Sequence, residues 1–156
     1  MAKRSAGILL YRRREGEIEV LLVHPGGPFW MKKDAGAWSI PKGEYAEGDD
    51  PLEAAKREFR EETGFEPPTS VLHELSEVKL ASGKVVRAWA QEGDCDANMI
   101  ASNRFAIEWP PRSGRMQQFP EVDRAAWFPL AVAREKINAA QRAFLDRLAL
   151  YTSSRD

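Results

Sequence analysis

The 156-residue chain is poor in the residues that build covalent or metal frameworks: it has one cysteine, Cys95, and two histidines, His24 and His73. A lone cysteine excludes an internal disulfide and a cysteine-based metal cluster. The two histidines show no paired spacing of the kind zinc sites use. Long apolar runs are missing as well. In the opening MAKRSAGILLYRRR the apolar stretch ends after Tyr11 at Arg12, Arg13 and Arg14. That is too short for the core of a secretory leader and far too short for a membrane span, so a soluble, cytoplasmic protein with no membrane partner is expected. Charge of one sign is also absent. Lys and Arg total 23 against 24 Asp and Glu, a net charge of -1, which argues against long nucleic acid or an anionic membrane as partner.

What is present suits one globular unit over residues 1–156. The chain is 43% hydrophobic with five tryptophans, long enough to close a core without staples. No repeat, low-complexity tract or linker interrupts it. Residues 6–13 and 17–23 read as strands joined by a turn at Glu15-Gly16. Residues 25–36 read as a Gly/Pro-rich loop carrying Phe29, Trp30 and Met31, followed by a short strand over 37–40. Further strands are expected near 71–80, 84–91, 103–109 and Trp127-Phe128, with Ser82-Gly83 as a turn and residues 110–120 as a basic loop. Residues 51–63 form the clearest helix: Asp50 as N-cap, Pro51 at the first position, Glu53 completing a capping box and Gly64 as the stop. Helical sequence resumes at Leu130. A second capping box, Asn138 with Gln141, opens a final helix to about residue 151. Strands around these helices give an α/β (α+β) class.

On a helical wheel Leu52, Ala55 and Phe59 form the core stripe of the 51–63 helix. Glu58, Glu61 and Glu62 share a face at its border, within about 100° of one another. Like charges at this spacing repel in an isolated helix. Two readings follow: a solvated acidic face with partners such as Arg57, or an oxygen-ligand site for Mg²⁺ or Mn²⁺.

The stretch from Gly43, GEYAEGDDPLEAAKREFREETGF, resembles the Nudix box of the Nudix hydrolases, G-x5-E-x7-R-E-U-x-E-E-x-G-U with U bulky and apolar. Gly43, Arg57, Glu58, Glu61, Glu62 and Gly64 match at the required spacings, and Phe59 and Phe65 occupy the U positions. Such a set of identities arises by chance in about 1 in 10⁵ chains of this length. Asp49 departs from the pattern, standing where the family has Glu. Ser39-Ile40-Pro41-Lys42 before the box, and the late Pro-Glu-Val-Asp and Trp-Phe segments, are similar to the family more weakly.

The resemblance implies an α/β/α sandwich around a mixed sheet, and hydrolysis of a phosphoanhydride in a nucleoside diphosphate linked to another group. It implies Glu58, Glu61, Glu62 and the Gly43 carbonyl as ligands of Mg²⁺ (or Mn²⁺). Arg57 would hold a glutamate by a two-pronged contact. Glu121 is a further ligand or base candidate outside the box, with an ordinary surface carboxylate as the alternative. Lys42 is placed to meet a phosphate, Arg112 and Arg115 to grip distal phosphates, and Trp30 to meet a base. The Pro-Lys-Gly start resembles the branch acting on dinucleoside polyphosphates or diphosphoinositol polyphosphates, of which the dinucleoside compounds are placed first. Nucleoside-triphosphate pyrophosphohydrolysis, RNA 5′-end trimming and a non-catalytic nucleotide-binding module remain open beside it. Asp49, one residue outside the helix and one methylene short, is expected to brace the loop or touch a bound water rather than a metal.

Overall fold

A computed structural model describes residues 3–153. Its first two strands, β1 (Arg4–Arg14) and β2 (Glu17–Pro25), pair antiparallel from Arg14↔Glu17 to Tyr11↔Val20. Glu15 and Gly16 turn between them at φ 52° and 82°, the left-handed pair that a two-residue hairpin requires. Beyond Tyr11 the two strands diverge, and a third, β3 (Lys42–Glu44), enters beside β1 with Gly7↔Lys42 and Ser5↔Glu44 in register. Gly7 permits the approach: a Cβ there would lie 2.4 Å from the Pro41 carbonyl oxygen.

Strands β4 (Leu72–Lys79) and β5 (Val85–Glu92) pair antiparallel, β5 lies parallel to β1, and β8 (Val122–Pro129) pairs antiparallel with β2. The order β4-β5-β1-β2-β8, with β3 on β1, is a mixed sheet. Helix α1 (Pro51–Thr63) covers one face, where Ala54, Ala55 and Phe59 pack on Ala6, Ile8, Leu10 and Leu21. Helices α2 (Leu130–Lys136) and α3 (Arg142–Ser153) cover the other, where Phe144, Leu145 and Leu148 join Leu9, Tyr11, Val20 and Leu22. Alternate residues of β1 thus feed opposite cores. This is why residues 5–11 are all buried and read as an unbroken apolar run. The layers are the expected α/β/α sandwich.

Several local expectations are corrected. Residues 37–40 make no strand. Ser39 forms a single bridge to Val23 and Trp38 one to Ile137, and the strand begins after Pro41, whose carbonyl accepts from Ile8 N–H at 3.3 Å. Residues 110–120 are not all loop: β6 (Arg104–Glu108) and β7 (Met116–Pro120) form a separate hairpin, with only its turn at 109–115. The second capping box does not open the last helix. Asn138 caps a 3-10 turn at Ala139–Gln141, and α3 starts at Arg142. Gln141 is buried instead, its Oε1 accepting from Ile40 N–H at 3.1 Å. At α1 the N-cap and the stop are as expected, Asp50 accepting from Glu53 N–H and Gly64 closing the helix at φ 81°, but the Glu53 carboxylate pairs with Lys56 Nζ at 3.3 Å instead of completing the capping box.

Candidate active-site cleft

The free edge of β3 faces α1. Lys42 N–H, pointing away from β1, donates to Glu62 Oε1 at 3.2 Å. One residue on, Gly43 lies so close to α1 that a Cβ would stand 1.8 Å from Glu58 Oε1. Between the β3 edge and the helix opens a cavity of about 400 Å³, lined by Glu58, Glu61, Glu62 and Glu121 together with Lys42 and Lys84. Ser5, Gly43, Glu44 and Asn103 complete it.

Glu121 arrives through the β6–β7 hairpin. Its N–H donates to the Asn103 carbonyl at 2.8 Å, and Asn103 N–H donates to the Glu61 carbonyl at 2.9 Å, so the root of the hairpin is tied to the C-terminal turn of α1. Gly26 N–H donates to the Glu121 carbonyl at 2.9 Å and anchors the Gly/Pro-rich loop at the same point.

Burial and like charge shape the acidic wall. Glu62 is pushed up to about 8, chiefly by burial, although the Lys42 N–H and ammonium oppose the shift. Glu58 is raised by burial and then by Glu61. Lys42 is lowered by burial and by Lys84. Each shift reports a charge waiting for an opposite one. The donor set is oxygen throughout, which suits Mg²⁺ or Mn²⁺ and no softer ion. As the side chains stand, no three acidic, His or Cys side chains among the described residues converge on one point. Binding an ion therefore requires the α1 carboxylates to rotate inward.

The structure brings Lys42, Gly43, Glu58, Glu61, Glu62 and Glu121 to one cleft. Arg57 borders it without the two-pronged contact expected. A single nitrogen, Nη2, spans Glu58 Oε2 at 3.4 Å and the Glu44 carbonyl at 3.5 Å, linking helix to strand. Trp30, Arg112 and Arg115 are not among the residues lining this cavity. Trp30 stays 40% exposed on the 25–36 loop with Lys33 Nζ 5.0 Å from its ring. Arg112 and Arg115 occupy the exposed tip of the β6–β7 hairpin. Ser5, Glu44, Lys84 and Asn103 were not singled out from the sequence. The pairing of β1 with β3 and β5 and the closing of the hairpin bring them here.

Asp49 lies outside the cleft. Its Oδ2 accepts from Ala46 N–H at 3.2 Å while its own N–H donates to the Ala46 carbonyl at 3.1 Å, a small clasp within the loop that leads into α1. Asp49→Ala is therefore expected to reduce turnover several-fold at most and to lower stability slightly. Steady-state kinetics beside a thermal melt checks it, and a loss as deep as that of Glu62→Gln would place Asp49 in the cleft instead.

A larger cavity of about 710 Å³ opens at the other end of β1, beside Arg12, Asp94 and Trp127, and α1 contributes nothing to its walls. Its Arg12 is already paired with Glu19 and Asp94 and stacked 4.1 Å from the Trp127 ring centroid. Among the described residues no helix is long and apolar enough to cross a membrane.

The family model of the NUDIX domain matches residues 1–148. The asymmetrical bis(5'-nucleosyl)-tetraphosphatase of Caenorhabditis elegans is 34% identical over 74 residues, 47% of this chain and 49% of that protein. Its Mus musculus counterpart is 32% identical over 103 residues, 59% of this chain and 66% of that protein. The chain thus spans between about half and two-thirds of these curated relatives. The crystal structure of a C. elegans Ap4A hydrolase binary complex superimposes with a TM-score of 0.67 at 24% identity, covering 98% of this chain and 99% of that one.

Proposed function

The chain belongs to the Nudix family, and from that premise we propose that it hydrolyses a phosphoanhydride bond of dinucleoside polyphosphates, as the names of the tetraphosphatases similar to it suggest. The observation that carries the reading is the charge of the cleft's lining: Glu58, Glu61, Glu62 and Glu121 share one space with Lys42 and Lys84. A polyphosphate is the ligand such a lining suits, because its anionic oxygens can meet the lysines directly and the carboxylates through a bound divalent cation. Glu58, Glu61, Glu62 and the Gly43 carbonyl would hold Mg²⁺ or Mn²⁺, which when bound neutralises phosphate charge and acidifies an attacking water.

The remaining work belongs to the chain's own residues. Lys42, half-buried beside Glu62, orients the phosphate next to the carboxylates. Arg57 fixes the helix to the strand that carries Gly43. Glu121, delivered by the hairpin, stands where it can take a proton or a further ion. Arg112 and Arg115, exposed at the hairpin tip, would meet the distal part of a long substrate, and Trp30, 40% exposed on the 25–36 loop, would meet a base.

A panel of dinucleoside polyphosphates, nucleoside triphosphates and nucleotide sugars, assayed with and without Mg²⁺ for released products, tests the proposal. Metal-dependent cleavage of the dinucleoside compounds ahead of the others is the expected result. Cleavage of nucleoside triphosphates alone would overturn the substrate assignment. Replacing Arg112 and Arg115 together by Ala should weaken turnover of tetraphosphate-bridged substrates several-fold more than that of a diphosphate-bridged one, a modest effect because the tip is exposed. Equal losses on both would show that the tip does not read chain length.

A further inference from the structure

Ser5 is 1% exposed, and its hydroxyl is sealed from solvent without a hydrogen-bond partner. Such a group destabilises the fold that carries it, and Ala would fill the same space without the penalty. Among the described residues the other buried orphan, Gln91 Oε1, belongs to an amide whose nitrogen serves the Pro68 and Ser70 carbonyls. No such occupation accounts for Ser5, and it borders the cleft.

Strand register shows what lies over it. At this level β1 runs between β3 and β5, and Ser5 is opposite Glu44 on one side and Val86 on the other. Residues directly opposite share a face of the sheet, and so do residues two apart along a strand. Glu44 and Lys42 therefore lie on the face of Ser5, and Lys84, the residue just before β5, reaches Glu44 from the other side of β1. Lys84 Nζ donates to Glu44 Oε2 at 2.9 Å. Because these two residues come from opposite sides of β1, their ion pair crosses the strand at Ser5. Lys42 on the same face makes no ion pair among the described residues.

We infer that Ser5 is a phosphate-binding residue roofed by the Glu44–Lys84 ion pair: an entering polyphosphate draws Lys84 from Glu44, and the uncovered Ser5 hydroxyl donates to the same phosphate oxygens. The carboxylate of Glu44 and a phosphate compete for one ammonium, and the phosphate carries the larger charge and also meets Lys42. The orphaned hydroxyl gains the acceptor it lacks. For the identity of the anion this inference rests on the phosphoanhydride reading above, but its readout is binding rather than hydrolysis.

The test titrates inorganic tripolyphosphate, at fixed Mg²⁺, into the full chain by calorimetry, with ³¹P spectra before and after to show the probe intact. Ser5→Ala is expected to bind about tenfold more weakly or worse while melting at or above the parent temperature. Glu44→Gln, which releases Lys84, is expected to bind more tightly than the parent. Parent-like affinity in Ser5→Ala overturns the inference, and so does a fall of several degrees in its melting temperature, which would mark a packing role. A parent that binds no tripolyphosphate overturns it too. Absence of dinucleoside polyphosphate turnover alongside the expected binding pattern overturns the hydrolase reading alone.

Discussion

Glu62→Gln is expected to lower turnover by at least about 100-fold and, at the same time, to make the metal-free protein more heat-stable. Glu62 is pushed up to about 8 from 4.5 mainly by burial, with Glu58 and Glu121 adding repulsion. A carboxyl whose folded value lies above its unfolded one holds a proton in the native state that the unfolded chain has released. Stability from this group is thus fully present below about 4.5 and is lost as pH rises through about 8. The metal-free parent should melt at progressively lower temperature across that window. Glutamine keeps the shape, can still accept the Lys42 N–H bond through its amide oxygen, and carries no charge to be penalised, so the variant's melting temperature should change less with pH. Added Mg²⁺ should raise the parent's melting temperature, most strongly at the alkaline end where the proton no longer competes, and should leave the variant nearly unmoved. Parallel melting profiles, or undiminished hydrolysis in the variant, would remove Glu62 from the site. Loss of activity with gain of stability is the behaviour of a carboxylate kept for chemistry.

The parts of this molecule that are legible in its sequence are those that local geometry decides. Asp50, Pro51 and Gly64 bound α1 as their intrinsic preferences dictate, and the spacing of Glu58, Glu61 and Glu62 sets one face whatever the helix packs against. Glu15-Gly16 likewise fixes its own turn. Misread segments are those where a distant partner decides. Residues 37–40 have the composition of a strand, yet the gap between the diverging β1 and β2 accepts the chain in ladder register only after Pro41. Met116–Pro120 shows no alternation, since Gln117 and Gln118 are adjacent polar residues, and it becomes a strand only by pairing with Arg104–Glu108. Gln141 follows Asn138 at capping distance, but the unpaired N–H of Ile40 claims its side chain. The cleft follows the same division. Three of its acidic residues, Glu58, Glu61 and Glu62, come from one helix and could be read. Ser5 comes from β1 and Lys84 from the turn that leads into β5, far apart in sequence, and neither carries a local signal.

Gly43→Ala is expected to be as damaging to turnover as Glu62→Gln, but by steric means and with little loss of stability. The added methyl would stand 1.8 Å from Oε1, 2.2 Å from Cδ and 2.8 Å from Cγ of Glu58. Distances that short cannot persist, and the Glu58 side chain is the part free to move. It must swing away from β3, leaving the Gly43 carbonyl without the carboxylate beside it and breaking the span of Arg57 between Glu58 and the Glu44 carbonyl. The backbone of Gly43 is not in the left-handed region, so alanine strains nothing else there and packing around Phe59 is untouched. Gly64→Ala supplies the contrast. That residue ends α1 at φ 81°, and its Cβ would meet the Ala101 carbonyl oxygen at 2.9 Å, so alanine should cost about 1–2 kcal/mol through the backbone. Side by side, Gly43→Ala should melt close to the parent with turnover reduced about 100-fold, while Gly64→Ala should melt several degrees lower and keep much of its activity. Retained turnover in a folded Gly43→Ala protein would mean that Glu58 does its work without the Gly43 carbonyl as neighbour, and that the close approach of β3 to α1 serves packing alone.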